Sequence, residues 1–220
     1  MSVVLAIDTS AGTSVALMRD GVVLAETNLP NHLKHAENIG GAIASVLREA
    51  GLVGTDVHRV VAGRGPAPFT GLRVGLAAAV MFAEGAGAKL VGVVSLDAIA
   101  LRAIRAGVVP SAAKPLLVTT DARRGEVYWA LYAGLDKHGV PVRSQGPAVA
   151  KPEALAQLLA SEGLEPHTTN ETVTAAALAE VALAQDHAGT LSSDVTALYL
   201  RAPDAVEPKS PGQFGKKVSS

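Results

Sequence analysis

Four short stretches carry residue types at a spacing that could do chemistry. Asp8-Thr9-Ser10 ends an apolar run and offers a carboxylate and two hydroxyls in one turn, a set that could face a nucleotide phosphate, although Asp-Thr-Ser alone is too common to count for much. His32 and His35 stand three apart near a helix start, so two imidazoles could share a metal. No third ligand accompanies them, and a structural or solvated role is the ordinary one for such a pair. Gly63-Arg64-Gly65-Pro66-Ala67-Pro68 has the look of a phosphate loop. Its prolines have no amide hydrogen to donate, and both the third glycine of a dinucleotide loop and the lysine of a P-loop are missing. Arg123-Arg124 in a turn could hold a phosphate or a carboxylate, although turn arginines are more often solvated. There is no G-x-S-x-G and no cysteine, which removes the nucleophile elbow, disulfides, thiolates and cysteine-ligated zinc. No catalytic, cofactor-binding or metal residue is assigned.

The elements that would position these groups begin with Val3–Ile7 as a buried strand, then Thr13–Met18 and Val22–Asn28 joined through Asp20-Gly21, an opening meander. Ala36–Ala50 has Ile39, Ile43, Val46, Leu47 and Ala50 at helical spacing and Gly51 as its stop. Val57–Val61 reads as a strand and Thr70 as the N-cap of a helix from Gly71 to about 86. In that helix Val74–Ala88 has Glu84 as its only charge. A helix packed on one face would show a polar stripe, so its second face is expected to meet another protein or to lie deep in its own domain. Gly75, Ala79 and Ala83, four apart, would admit a neighbouring helix. Arg73 near the helix start opposes the helix dipole. Leu90–Val94 and a helix from Ser95 to about Ala106 complete a first unit, residues 1–106.

A second unit, residues 107–201, opens like the first: strand Pro115–Thr119, an Asp-containing turn at Asp121–Gly125, strand Glu126–Tyr132. A further strand follows at Val140–Val149, then helices at Pro152–Ser161 and Thr174–Gln185, and a last strand or extended segment at Val195–Leu200. The repetition implies two related halves facing each other across a cleft. Residues 202–220, with three prolines and scattered lysines, read as a disordered tail.

A net charge of −1 argues against a protein that binds nucleic acid through a basic surface, so any RNA contact would have to be local or assisted by a partner. Only 18% of residues are charged and mean hydropathy is +0.30, in keeping with a surface partly covered by another protein. The N-terminus has no basic region before its apolar run, and the longest uncharged apolar run, Val74–Ala83, is too short to span a bilayer. A cytoplasmic protein without membrane contact is expected.

The segments LAIDTSAGTSVAL at 5–17, HAENI at 35–39, GRGPAPFTGLRVG at 63–75, VVSLDAIA at 93–100, DARRGEVYWA at 121–130 and ALYLRAP at 197–203 resemble the TsaB (YeaZ) family of bacterial tRNA threonylcarbamoyladenosine synthesis. The resemblance implies a two-lobed actin-like (ASKHA) α/β fold, with mixed sheets and flanking helices. It further implies a non-catalytic platform without cofactor, binding a TsaD-like catalytic paralogue that transfers threonylcarbamoyl to adenosine, with a TsaE-like ATPase docking on the pair and a homodimer when alone. Where catalytic relatives carry H-x-x-x-H, this chain has His35 and Ile39. The partner interface is expected at Ile39, Ala42, Ile43, Val46, Gly75, Leu76, Ala79 and Ala83, so that Ile43→Asp and Ala79→Arg would weaken assembly while sparing the fold. The stretch Glu162–Glu171 leaves little room for the glycine-rich element that such folds place beside adenosine. The alternatives are a homodimeric regulatory protein, or an actin-like enzyme such as a small-molecule kinase or metallohydrolase.

Overall fold

Strand β1 (Val3–Asp8) pairs antiparallel with β2 (Thr13–Arg19) on one side and parallel with β4 (Arg59–Gly63) on the other. A strand covered on both faces carries a continuous apolar run rather than an alternating one, and this is what VVLAI provides. β3 (Val22–Leu29) joins β2 through Asp20 and Gly21, both at positive φ, the twist a tight hairpin demands. β5 (Lys89–Val93) extends the sheet beside β4, giving the order β3-β2-β1-β4-β5. The computed structural model describes residues 2–30 and 35–201. His32, the side chain of His35 and the segment 202–220 lie outside that description.

Helices α1 (His35–Glu49) and α2 (Phe69–Ala86) cover one face of this sheet, closing a core that includes Leu5, Ile7, Val46, Val60 and Ala79. α3 (Ser95–Arg105) and α5 (Ala175–Ala188) cover the other. Beyond them lies a second sheet of β6 (Leu116–Arg123), β7 (Glu126–Leu135), β8 (Pro141–Ala150) and the two-residue β9 (His167–Thr168), ordered β8-β7-β6-β9. α4 (Pro152–Ser161) packs Leu155 against Trp129 and Leu131 on its outer side. One continuous core between the sheets joins Ala6, Val61 and Val93 to Leu116, Val118 and Tyr132. The layers thus run helix, sheet, helix, sheet, helix, the two-lobed actin-like arrangement.

Local departures from the sequence reading have local causes. The first parallel strand starts at Arg59 rather than Val57, because a 3-10 turn at Gly54–Asp56, in which Asp56 accepts from the Val53 amide, delays the ladder. α2 begins at Phe69 behind Pro68, so Thr70 lies inside the first turn instead of capping it. Residues 195–200 form no strand and are held by side chains. Two glycines are required by close approach: a Cβ on Gly63 would strike the Asp8 carboxylate, and one on Gly75 would strike the Thr9 hydroxyl. Thr9 Oγ1 donates to the Gly71 carbonyl at 2.8 Å, tying α2 to the first hairpin.

The start of α3 fastens the two sheets to each other. Ser95 Oγ donates to the Asp8 carboxylate at 2.5 Å and accepts from the Gly65 amide at 3.1 Å. Two residues on, Asp97 accepts from the Tyr132 hydroxyl at 2.7 Å and from Arg143 at 2.7 and 2.8 Å. Burial raises Asp97 above its ordinary value, against the charge and hydrogen bonds of Arg143 and the hydroxyl of Tyr132. Burial, followed by the neighbouring Asp97, pushes the Tyr132 phenol well up. Burial alone would lower Arg143, but Asp97 and Tyr132 outweigh it and hold the guanidinium charged.

Two outcomes follow for stability. Arg143→Met leaves the Asp97 carboxylate buried without its cation and is expected to destabilise the fold by about 3 kcal/mol, the low end for a broken buried pair because Arg143 is partly open to water. Because the folded value of Asp97 lies above the unfolded one, its favourable contribution is complete below roughly pH 4 and is lost as pH rises through the folded value. Thermal unfolding of the wild type against Asp97→Asn should therefore shift in favour of the wild type as the buffer is acidified from neutrality. A difference that moves the other way would refute this assignment.

Candidate functional site

A cleft of about 650 Å³ opens between the β1–β2 hairpin and the end of β6 beyond its short pairing with β9, lined by Thr13, Ser14, Asn28, Arg102, Thr120 and Asp121 among others. It is where the sequence places the facing halves, and a free helix N-terminus at its wall would suit an anion. The N-terminal amides of α5 are already engaged, however. Ala175 donates to Ser14 Oγ at 2.7 Å, Ala176 to the Glu26 carboxylate at 2.9 Å, and Ala177 to Thr174 Oγ1 at 3.3 Å. Arg102 is paired with Glu171 at 2.6 Å and donates to the Thr172 carbonyl. Asp8, 1% exposed, accepts from the amide and hydroxyl of Ser10 at 2.7 and 2.6 Å as well as from Ser95. The cleft thus spends its strongest polar groups on the fold. Among the described residues no three His, Cys, Asp or Glu side chains converge on a metal position, and the region between α4 and α5 supplies only β9 beside β6.

The segment 192–201 crosses the mouth of the central loop as a strap, bridging Gly92 at Ser192. Arg64 donates through Nε to the Thr196 carbonyl at 2.9 Å and pairs with Asp194 at 2.6 Å, while the Leu198 amide donates to the Arg64 carbonyl at 2.9 Å. Hydrogen bonds from Thr196, with Arg64 close by, hold Asp194 below its ordinary value. Tyr199 stacks on Phe69 with ring centroids 4.6 Å apart, and Arg73 lies 5.5 Å from each ring centroid while its Nε donates to the Tyr199 hydroxyl at 2.9 Å. Arg201 ends the strap on Glu126 at 2.9 Å. Arg64 is therefore a structural strut, and the turn arginine Arg123 pairs with Asp121 at 3.2 Å.

The remaining candidate is the outer surface of α1 and α2, and here the residue assignment needs correction. Of the eight positions expected to meet a partner, Ile39, Ala42, Val46, Gly75, Ala79 and Ala83 are turned onto the sheet and buried within the chain. Ile43 and Leu76 are half-buried beside them. Gly75 admits Thr9, and Ala79 and Ala83 lie in the chain's own core together with Ile39, Ala42 and Val46 of α1, so Ala79→Arg would unseat the helix instead of testing an interface. The exposed side of α2 is centred about 140° around the helix, at Arg73, Ala77, Val80, Met81 and Glu84, with Met81 72% and Val80 37% exposed. α1 presents Ala36, Gly40, Gly41 and Ala44 on its own exposed side. Phase was the legible signal: burying Leu72, Gly75, Ala79 and Ala83 fixes 73, 77, 80 and 84 as the opposite stripe. α2 has eighteen residues and is apolar enough, by length and composition alone, to cross a membrane, which revises the reading of a run too short to do so. In this fold its inner face is committed to the sheet.

A family model described as TsaD, tRNA N6-adenosine threonylcarbamoyltransferase, matches residues 27–200. An uncharacterised Mycobacterium tuberculosis protein is 40% identical over 152 residues, 68% of this chain and 65% of that protein. An Escherichia coli protein named tRNA threonylcarbamoyladenosine biosynthesis protein TsaB is 38% identical over 151 residues, 68% of this chain and 63% of that one. These alignments take in less than two thirds of either relative's length. The structure of YeaZ from Pseudomonas aeruginosa superposes with a TM-score of 0.72 at 26% identity, covering 91% of this chain and 100% of that one. With a family model over most of its length, TsaB among its relatives and the YeaZ fold throughout, the chain belongs to the TsaB (YeaZ) family of TsaD-like proteins.

Proposed function

We propose that the chain is a non-catalytic subunit in tRNA threonylcarbamoyladenosine synthesis, and that it docks a TsaD-like catalytic subunit on the outer faces of α1 and α2. The observation that carries the reading is the exposed apolar stripe of α2, with Val80 and Met81 open to water on a helix whose opposite face is fully packed. The names of the relatives support the pathway. The internal engagement of Asp8, Arg102 and the α5 amides supports a scaffold rather than a reaction centre. In this reading residues 1–106 form the docking lobe and 107–201 the smaller second lobe. The protein works in the cytoplasm, self-associates when its partner is absent, gives a TsaE-like ATPase a surface on the assembled pair, and reaches tRNA through its partner.

The test is capture of the TsaD-like subunit from the same organism by the purified full chain. Ala77→Arg and Ala44→Arg, both at exposed positions, are expected to weaken capture by more than about tenfold while unfolding at the wild-type temperature. Wild-type capture by both variants would overturn the docking face. Robust ATP hydrolysis by the chain alone would overturn the non-catalytic role.

A further inference from the structure

At the far end of α2 lies an apolar notch that the outer face only borders. The 3-10 turn at Gly54–Asp56 and the last turns of α2 enclose about 380 Å³, walled by Val53, Gly54, Met81, Phe82 and Gly85 among others. Val53 is 62% exposed at its rim. The Phe82 ring packs over Gly54, and Gly85 has open space where a side chain would stand, so the notch has room for a ring. The rim is negative. Glu84 stands in the last turn of α2, which has no base, so an acid adds to the carbonyl end of the helix dipole instead of offsetting it. Asp56 stands in the turn opposite, with one carboxylate oxygen on the Val53 amide. Neither acid has an ion-pair partner among the described residues, and the next base along the chain, Lys89, already belongs to β5.

An apolar hollow edged by two acids and a helix C-terminus fits an aromatic side chain followed by cations. The chain carries that sequence once, at Phe214-Gly215-Lys216-Lys217. Of its three phenylalanines, Phe69 is stacked on Tyr199 and Phe82 walls the notch, which leaves Phe214 as the ring to fill it. The strap brings this segment within range. Tyr199 is fixed at the first turn of α2 by Phe69, and Met81, twelve positions beyond Phe69, is about 18 Å along the axis. The fifteen residues from Tyr199 to Phe214 reach up to about 50 Å. A tether of this length holds the segment at a roughly millimolar effective concentration, where a weak contact is populated without a second molecule.

We propose that residues 214–217 dock within their own chain in this notch, Phe214 between Val53, Met81 and Phe82, and Lys216 and Lys217 against Glu84, Asp56 and the carbonyl end of α2. Met81 also belongs to the outer face of α2, so the docked segment covers one edge of that face and a TsaD-like subunit displaces it, a consequence that rests on the proposed docking face. The docked segment itself stands on the notch, its charges and the reach of the chain.

The test uses the full chain, which has no cysteine of its own, with Ser219→Cys carrying a nitroxide spin label and the backbone amides read by NMR. Broadening is expected to centre on residues 53–55 and 81–86. Phe214→Ser, or Lys216→Glu together with Lys217→Glu, is expected to remove most of it without moving the other resonances. Broadening centred on any other surface, or unchanged in both variants, overturns the proposal. Isotope-labelled chain without the nitroxide, mixed with unlabelled chain that carries it, separates contact within a chain from contact between copies. The same broadening at full strength in that mixture overturns docking within the chain. Phe214→Ser is also expected to tighten capture of the TsaD-like subunit about threefold, by freeing the part of the population in which Met81 is covered. Capture unchanged by Phe214→Ser overturns the displacement. A wild-type chain that captures nothing counts against the docking face, and the broadening still decides the docked segment.

Discussion

The structure depends on the first turn of α3, where two side chains two residues apart serve opposite sheets. Ser95 reaches back to Asp8 at the end of β1 and to the amide of Gly65 in the loop after β4. Asp97 reaches forward to Tyr132 on β7 and Arg143 on β8. An isolated buried carboxylate would cost far more than the fold could supply, so both aspartates persist only because their lone pairs are filled. The same requirement explains the glycine at 63, since any side chain there would displace the Asp8 carboxylate from its donors. The relative placement of the two sheets is fixed by hydrogen bonds of defined direction, which hydrophobic packing alone cannot provide.

That economy of polar groups bears on what the cleft can do. A site for a phosphorylated ligand needs amides or cations held in reserve, and these are the groups the cleft has committed. The Glu26 carboxylate sits on an α5 amide where a ligand's anion would otherwise be welcome, and Glu171 neutralises Arg102. The Asp-Thr-Ser turn, which in isolation looks like reactive machinery, is in place a joint: Asp8 bonds Ser10 and Ser95, and Thr9 anchors α2.

Much of this was legible in the sequence, and the limits follow from the reach of the interactions. The buried parallel strands, the hairpin at Asp20-Gly21 and the helices at 35–49, 95–105 and 152–161 announce themselves through local periodicity and turn chemistry, and they appear within two residues of where the pattern sets them. The strap at 192–201 was readable as extended chain but not as a strap, because Arg64 and Asp194 meet across more than a hundred residues. The Asp97–Arg143 pair was silent too, since its partners are 46 residues apart and on different elements. Boundaries slipped where one residue decides them, as with Pro68 ahead of α2. The residues expected at an interface on α1 and α2 mostly face inward, six of the eight being buried within the chain. Small residues every four positions signal a close neighbour without saying which, and at Gly75 that neighbour is Thr9 in the same chain.

The two sides of α2 answer different demands. The inner one, Leu72, Gly75, Ala79 and Ala83, must let a sheet and a threonine come close, so it is small and fully enclosed. The outer one has no sheet to satisfy, and selection for solubility alone would fill it with charge. It instead keeps Ala77, Val80 and Met81 between one cation and one acid, each at the end of the helix that suits it least. The low charge of the chain as a whole thus has a local source, a helix that is a core element on one side and unfinished on the other.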